Sequence, residues 1–311
     1  MSIPISFWGV FAAIIASLLA LDLGILNKKD EVMSFKKSAL ISLFYVFISC
    51  LFGLFVWYEL GAGSASEYYT GFLLEKAMSL DNIFVMSMIF AFFKIPPKYQ
   101  HRVLFWGVLG VIILRGIMIY VGAALLEQFS WILFIFAAFL IITGIKTLYI
   151  VDKSGINIQD MFIYKWLQKH LNLYPSLVGN KFTIRQNGKL FFTPLFMALV
   201  TIEAMDLVFA IDSIPAIFAV TQNTFIIYTS NIFAILGLRA LFFCLADIVE
   251  RFKYIKYSLA IILILIGIKI FVAHFVEIPK LIPLIVTLIL LILGILVSVV
   301  KKGGRVSMRQ S

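Results

Sequence analysis

Nine apolar stretches, each about 20 residues or longer, constrain this chain more than any other feature. They cover roughly 7–26, 38–60, 68–93, 103–126, 130–150, 191–218, 225–248, 256–275 and 280–300. A hydrocarbon core ~30 Å thick is crossed by ~20 apolar residues rising ~1.5 Å each as a helix. The expected fold class is therefore an all-α polytopic membrane protein with about nine transmembrane helices. Composition agrees. Of 311 residues, 62% are hydrophobic and 14% charged, and the mean hydropathy is +1.05. A water-soluble domain of this length needs more polar surface. The chain starts Met1-Ser2-Ile3-Pro4 and has no basic segment before its first apolar run. That run is expected to remain a span rather than be cleaved.

The net charge of +10 does not imply nucleic acid, because the basic residues sit in short loops between apolar runs. With the N-terminus outside and the C-terminus cytoplasmic, 21 of the 26 Lys and Arg fall in inner loops and their helix ends, and Lys280 alone lies outside. This one-sidedness follows the positive-inside rule and implies a multi-pass protein with the lipid bilayer as its solvent. Cys50 and Cys244 both lie in apolar runs and imply neither disulfides nor a thiolate metal site.

The two halves echo each other. Asp81 to Arg115 is 34 residues and Asp206 to Arg239 is 33. Arg115 to Lys146 and Arg239 to Lys269 are 31 and 30, each ending in Gly-Ile-Lys. Each unit holds three helices, an odd number, so the second would enter the membrane the other way up. That predicts an inverted-topology repeat of helices 3–5 and 6–8, with a site near mid-membrane between the units. The expected division is an N-terminal two-helix segment (1–66), a first three-helix unit (67–151), a cytoplasmic linker (152–190), a second unit (191–276), and a last helix with a basic tail (277–311). The linker reads as an amphipathic helix from Met161 to His170 and then a turn-rich stretch containing Pro175, Gly179, Asn187 and Gly188.

Charges at the bilayer centre cost at least ~2.5–3.5 kcal/mol each and need partners or a wet cavity. The third span carries Glu75, Ser79, Asp81 and Asn82; the sixth carries Glu203, Asp206, Asp212 and Ser213. Glu75, Ser79 and Asn82 recur on one helical face, as do Glu203 and Asp206. Pro215 removes a backbone donor, and a break near 211–215 is expected to turn Asp212 toward the same cavity. Every donor in this set is oxygen, which suits hard cations such as Mn²⁺, Ca²⁺ or Mg²⁺ better than Zn²⁺ or Cu⁺. The candidate metal ligands are Glu75, Asp81, Asn82, Glu203, Asp206, Asp212 and Ser213. Arg115 and Arg239 are expected to form supporting ion pairs with carboxylates across the unit interface, and Ser230 and Asn231 are candidates to line the same cavity. Asp22 reads as a helix-end acid, and Asp247 and Glu250 as structural. His101, His170 and His274 lie in or near loops and helix ends, away from the acids. No phosphate-binding glycine loop, Ser-His-Asp arrangement or His-Glu-x-x-His motif is present, so the chain is read as not an enzyme.

Glu75-Lys76…Leu80-Asp81-Asn82-Ile83-Phe84-Val85, Gly110…Leu114-Arg115, Glu203…Asp206…Phe209-Ala210…Asp212-Ser213-Ile214-Pro215-Ala216-Ile217 and Thr229-Ser230-Asn231-Ile232-Phe233 through Arg239 resemble the TerC family of integral membrane proteins, and within it the Alx-like branch. The resemblance extends over nearly the whole chain. It implies manganese homeostasis, with Mn²⁺ as the exported substrate and no tightly bound cofactor. These acids stand where that family carries its own. The expected function is a divalent-metal (Mn²⁺) export carrier working by alternating access, with proton coupling through one or more acids. Two other readings stand beside it. One is a non-transporting membrane-protein assembly factor that uses the linker and lipid-facing surfaces. The other is a carrier of a different solute, Ca²⁺ or an anion bound by the arginines. No protein partner is specified by the sequence.

Overall fold

The computed structural model describes residues 4–21, 35–150, 158, 161–245, 254–273, 275–276 and 278–307, with the side chains of Asp81, Ile150, Asp212, Leu245 and residues 299–307 outside the described set. Asp22, Asp247, Glu250 and His274 likewise lie outside the described residues.

The chain is helical almost throughout. The helices are α1 (Ile5–Leu21), α2 (Phe35–Phe92), α3 (Pro97–Gln128), α4 (Ile132–Ile150), α5 (Phe162–His170), α6 (Pro194–Val220), α7 (Thr224–Leu236), α8 (Leu238–Leu245), α9 (Ile255–Val272) and α10 (Leu281–Ser307). Seven helical stretches among the described residues are long and apolar enough to cross a membrane, and α1 is a shorter apolar helix. One of the seven, α2, contains two passes. Gly61 adopts φ 84 and ψ 171, a conformation closed to side-chain-bearing residues, and reverses the chain there. Residues 35–60 (α2a) and 62–92 (α2b) then run back along each other. Tyr68 Oη donates to the Ser49 carbonyl at 3.0 Å and Tyr69 Oη to that of Cys50 at 2.8 Å. The Tyr69 ring lies over Gly53, where a Cβ has no room. The chain is an all-α polytopic membrane protein of about nine passes.

Two sequence expectations about helix breaks need correction. No break occurs at 211–215: α6 continues through Pro215 to Val220. The lost donor leaves one carbonyl without its usual partner, yet the flanking residues pack tightly enough to keep the helix going. The interruption lies instead in the seventh pass, at Gly237, between α7 and α8. There Lys76 Nζ of α2b donates to the Ala234 carbonyl at 3.0 Å. A lysine reaching across to the last turn of another helix suits both its loose carbonyls and the negative end of its dipole.

The linker forms α5 and a short antiparallel hairpin, β1 (Thr183–Gln186) and β2 (Lys189–Phe192), paired Gln186 to Lys189. Asn187 and Gly188 both have positive φ at the two-residue turn, which matches the twist of a tight hairpin. The hairpin and α5 are packed on the helix ends: Tyr164 meets Phe92 and Phe93, the Arg102 guanidinium lies 5.5 Å from the Phe182 ring centre, and Thr193 Oγ1 donates to the Lys181 carbonyl at 2.8 Å.

Helices in lipid gain little from apolar contact alone, so close packing at small residues holds them together. Between α4 and α9 this packing is reciprocal. A Cβ at Gly144 would stand 2.7 Å from the Ala260 carbonyl and 2.7 Å from Ile264. A Cβ at Gly267 would stand 2.7 Å from the Ala137 carbonyl and 2.7 Å from Ile141. The offsets are identical on the two sides. Because backbone oxygens cannot step aside, Gly144→Val and Gly267→Val are each expected to cost about 1–3 kcal/mol. Their effects should be less than additive, since both open one interface. Thermal melting of purified protein in detergent measures this; variants that melt with the parent would refute the packing role.

Candidate functional site

Arg115 is the centre of the polar interior. It lies near the middle of α3 and is 1% exposed, with Glu75 of α2b at 3% and Asp206 of α6 at 4%. Its Nη1 is 2.7 Å from Glu75 Oε1. Its Nε and Nη2 address the two oxygens of Asp206 at 3.2 and 3.3 Å, a bidentate fork. Nη1 also donates to Asn231 Oδ1 at 2.5 Å and reaches Ser213 Oγ at 3.3 Å. Asn231 on α7 returns a hydrogen bond from Nδ2 to Glu75 Oε2 at 3.2 Å. Asn82 on α2b donates to Asp206 Oδ1 at 3.4 Å. One arginine thus joins a carboxylate from each half of the chain.

The local sequence explains who can reach whom. Ser79 turns its hydroxyl back to the Glu75 carbonyl at 2.7 Å, a bond within α2b, and does not join the cluster. Asp206 and Glu203, one turn apart, both face α3 but meet different partners. Asp206 meets Arg115. Glu203 lies against the glycines of α3: a Cβ at Gly107 would be 3.1 Å from Oε1, and one at Gly110 would run into the carboxylate. Both Glu203 oxygens are shielded from solvent and accept no hydrogen bond among the described residues. An ionised carboxylate in that position is costly without a proton or a counter-charge. Arg239 sits apart from Arg115, buried, with its guanidinium 5.9 Å from the Phe105 ring centre.

A cavity of about 130 Å³ adjoins the cluster. Its polar lining comes from Glu75, Asn82, Arg115, Ser213, Thr143 and Thr147. Lys256 lies at its far end, where α9 begins, and Thr147 stands near the end of α4 that leads into the linker. The cavity therefore reaches from the centre of the helices toward the linker side. It has room for several waters or a partly hydrated cation.

Of the seven sequence-predicted ligands, Glu75, Asn82, Asp206 and Ser213 are drawn together around Arg115, and Glu203 stands aside. Asp81 and Asp212 are on α2b and α6 next to Asn82 and Ser213, but their side chains lie outside the described residues. Among the described residues no three Asp, Glu, His or Cys side chains converge on one point. Thr143 and Thr147 are cavity residues that the sequence reading passed over. Their signal is faint: two hydroxyls one turn apart on the mostly apolar α4, on either side of Lys146 in sequence.

Removing Arg115 alone strands two buried carboxylates, which is expected to cost about 3–5 kcal/mol. The triple variant Arg115→Gln/Glu75→Gln/Asp206→Asn carries no stranded charge and should recover most of that loss. Melting temperatures in detergent decide the matter. A triple variant no more stable than Arg115→Gln would contradict the ion-pair account.

Comparisons with known proteins agree on one relationship. An uncharacterized membrane protein of Rickettsia felis is 64% identical over 295 residues, covering 95% of this chain and 98% of that one. A Myxococcus xanthus membrane protein, STKORF319, also uncharacterized, is 43% identical over 294 residues, covering 94% and 92%. The Escherichia coli K12 protein named putative membrane-bound redox modulator Alx is 45% identical over 282 residues, covering 88% of this chain and 87% of its own. No solved structure matches. Residues 60–306 match the integral membrane protein TerC family. The chain belongs to the TerC family of integral membrane proteins.

Proposed function

We propose that this protein is a carrier for a divalent cation, Mn²⁺ by family resemblance, moving it out of the cell across the inner membrane. The observation that carries the reading is the Arg115 bridge between Glu75 and Asp206, at mid-helix and beside a cavity that Glu75, Asn82, Ser213, Thr143 and Thr147 line together with apolar side chains and Lys256. A guanidinium between two carboxylates from different halves of the chain is a tethered cation standing where a mobile one would act. Glu75 and Asp206, joined by Asp81, Asp212, Glu203, Asn82 and Ser213, form the hard-oxygen set that would receive the metal as Arg115 gives way.

Residues 67–151 and 191–276 act as two inverted three-helix units in this scheme. The reciprocal Gly144 and Gly267 contacts supply the pivot that such a pair needs. The N-terminus lies outside and the linker and C-terminus in the cytoplasm, which turns the cavity inward. Glu203, shielded and without a donor among the described residues, is the acid best suited to exchange a proton against the metal. The name redox modulator, carried by the Escherichia coli relative, attracts no support from the cysteines. Cys50 and Cys244 are both free thiols, on the second and seventh passes, apart from the polar cluster.

The test is Mn²⁺ entry into liposomes holding the purified protein, followed with an internal fluorescent reporter, with Ca²⁺, Mg²⁺ and Zn²⁺ as competitors. Mn²⁺ flux is expected to fall at least a hundredfold in Glu75→Gln, Asp206→Asn and Asp81→Asn, with Zn²⁺ the weakest competitor. Folded, inserted protein that carries no Mn²⁺ under any imposed gradient would sink the carrier reading and favour an assembly factor built around the linker.

A further inference from the structure

The end of the molecule opposite the linker carries a second ion pair, formed by residues that the central cluster does not use. Glu67, near the start of α2b, is 7% exposed. Its Oε1 pairs with Lys280 Nζ at 2.7 Å, and its Oε2 accepts from Thr221 Oγ1 at 2.7 Å. Thr221 closes α6, and its hydroxyl also accepts from the Asn223 backbone N–H at 3.2 Å. Ser66 Oγ donates to the Lys280 carbonyl at 2.5 Å, so the lysine is held at its backbone as well as its ammonium. Lys269, the lysine of the second Gly-Ile-Lys, lies within electrostatic reach of both Glu67 and Lys280. One carboxylate thereby ties together the first half (α2b), the α6–α7 turn and the approach to α10.

Below this knot the same helix leads inward. Gly71 of α2b lies against Ser230 of α7, where a Cβ would stand 2.8 Å from the hydroxyl, and the next turn presents Glu75. Glu67, Ser230 and Glu75 thus mark successive levels between the outer end and Arg115. The cavity extends from Arg115 toward the linker side. We propose that Glu67 is the outer gate of the pathway. Bound to Lys280 and Thr221 it closes the outer end, and when Lys280 swings away it becomes the last carboxylate that a departing divalent cation meets. This proposal rests on the carrier reading for its cation but not for its gate. Lys280 suits the moving part, because its side chain is 60% exposed while Glu67 is fixed inside.

The experiment reads access, not transport. In a background with Cys50 and Cys244 replaced by Ala, Ser230→Cys is a reporter placed just inside the gate. A membrane-impermeant thiol reagent is applied to sealed vesicles from the face opposite the linker. Labelling should be slow with Glu67 and Lys280 intact and at least tenfold faster in Glu67→Gln/Lys280→Gln. The charge-reversed pair Glu67→Lys/Lys280→Glu should return it to slow, a rescue that a misfolded variant would not show. Thr221→Val should give a smaller increase. Equal labelling in the intact and glutamine proteins, or no rescue by the reversed pair, overturns the gate. Labelling that follows the expected order in a protein that moves no Mn²⁺ in liposomes leaves the gate standing and removes the metal carrier.

Discussion

The buried guanidinium of Arg115 is the interaction around which the rest is arranged. A charge pair about 4 Å apart attracts by roughly 4 kcal/mol at an effective dielectric constant of ~20. Taking each ion out of water costs several kcal/mol. A single pairing therefore does not hold an arginine 1% exposed in the middle of a helix bundle. Arg115 meets this with two carboxylates, the Asn231 amide and the Ser213 hydroxyl. Asn231 serves twice, accepting from the arginine and donating to Glu75, so the polar groups satisfy one another. With both acids ionised, the trio of Glu75, Asp206 and Arg115 still carries one net negative charge, which makes the cluster receptive to a further cation.

The backbone around it is shaped to let those groups meet. Gly107 and Gly110 remove side chains from the face of α3 that α6 approaches, and Glu203 fills the space they leave. The glycine pairs on α4 and α9 bring two other helices to backbone contact. In a lipid solvent these close approaches replace the hydrophobic force that drives helix packing in water.

The passes were legible in the sequence because a bilayer imposes a length and forbids unpaired backbone. Positions within the passes were less so. Arg115 pairs with Glu75 in its own half and Asp206 in the other, a geometry fixed by side-chain reach that residue spacing does not encode. Pro215 pointed to a break that α6 does not make, and Gly237 interrupts a pass with no proline to announce it. Asn187-Gly188 was read as a turn, but the flanking residues are too mixed to identify a hairpin. Glu67 escaped notice because it stands near a loop, where an acid is ordinarily solvated. Its burial comes from Thr221 and Lys280, distant in sequence. Glu203 carried the right chemistry but not its separation from Arg115, which depends on two glycines in another helix.

The lysine beside Glu75 connects these parts. Lys76 reaches the Ala234 carbonyl at the interruption before Gly237, where a Cβ would stand 2.7 Å from its ammonium. Adjacent residues of α2b thus hold two different elements: Glu75 holds Arg115 of α3, and Lys76 holds the end of α7. About two turns from Glu75, toward the end opposite the linker, the same helix presents Glu67 to Lys280 and Thr221. A rigid displacement of α2b therefore cannot release Arg115 alone. It strains the α7 contact and the Glu67 knot together, because all of these attachments sit on one continuous helix. A single helix with charged attachments at its centre and at the end opposite the linker gives the fold a mechanical reason for the two ends to change together.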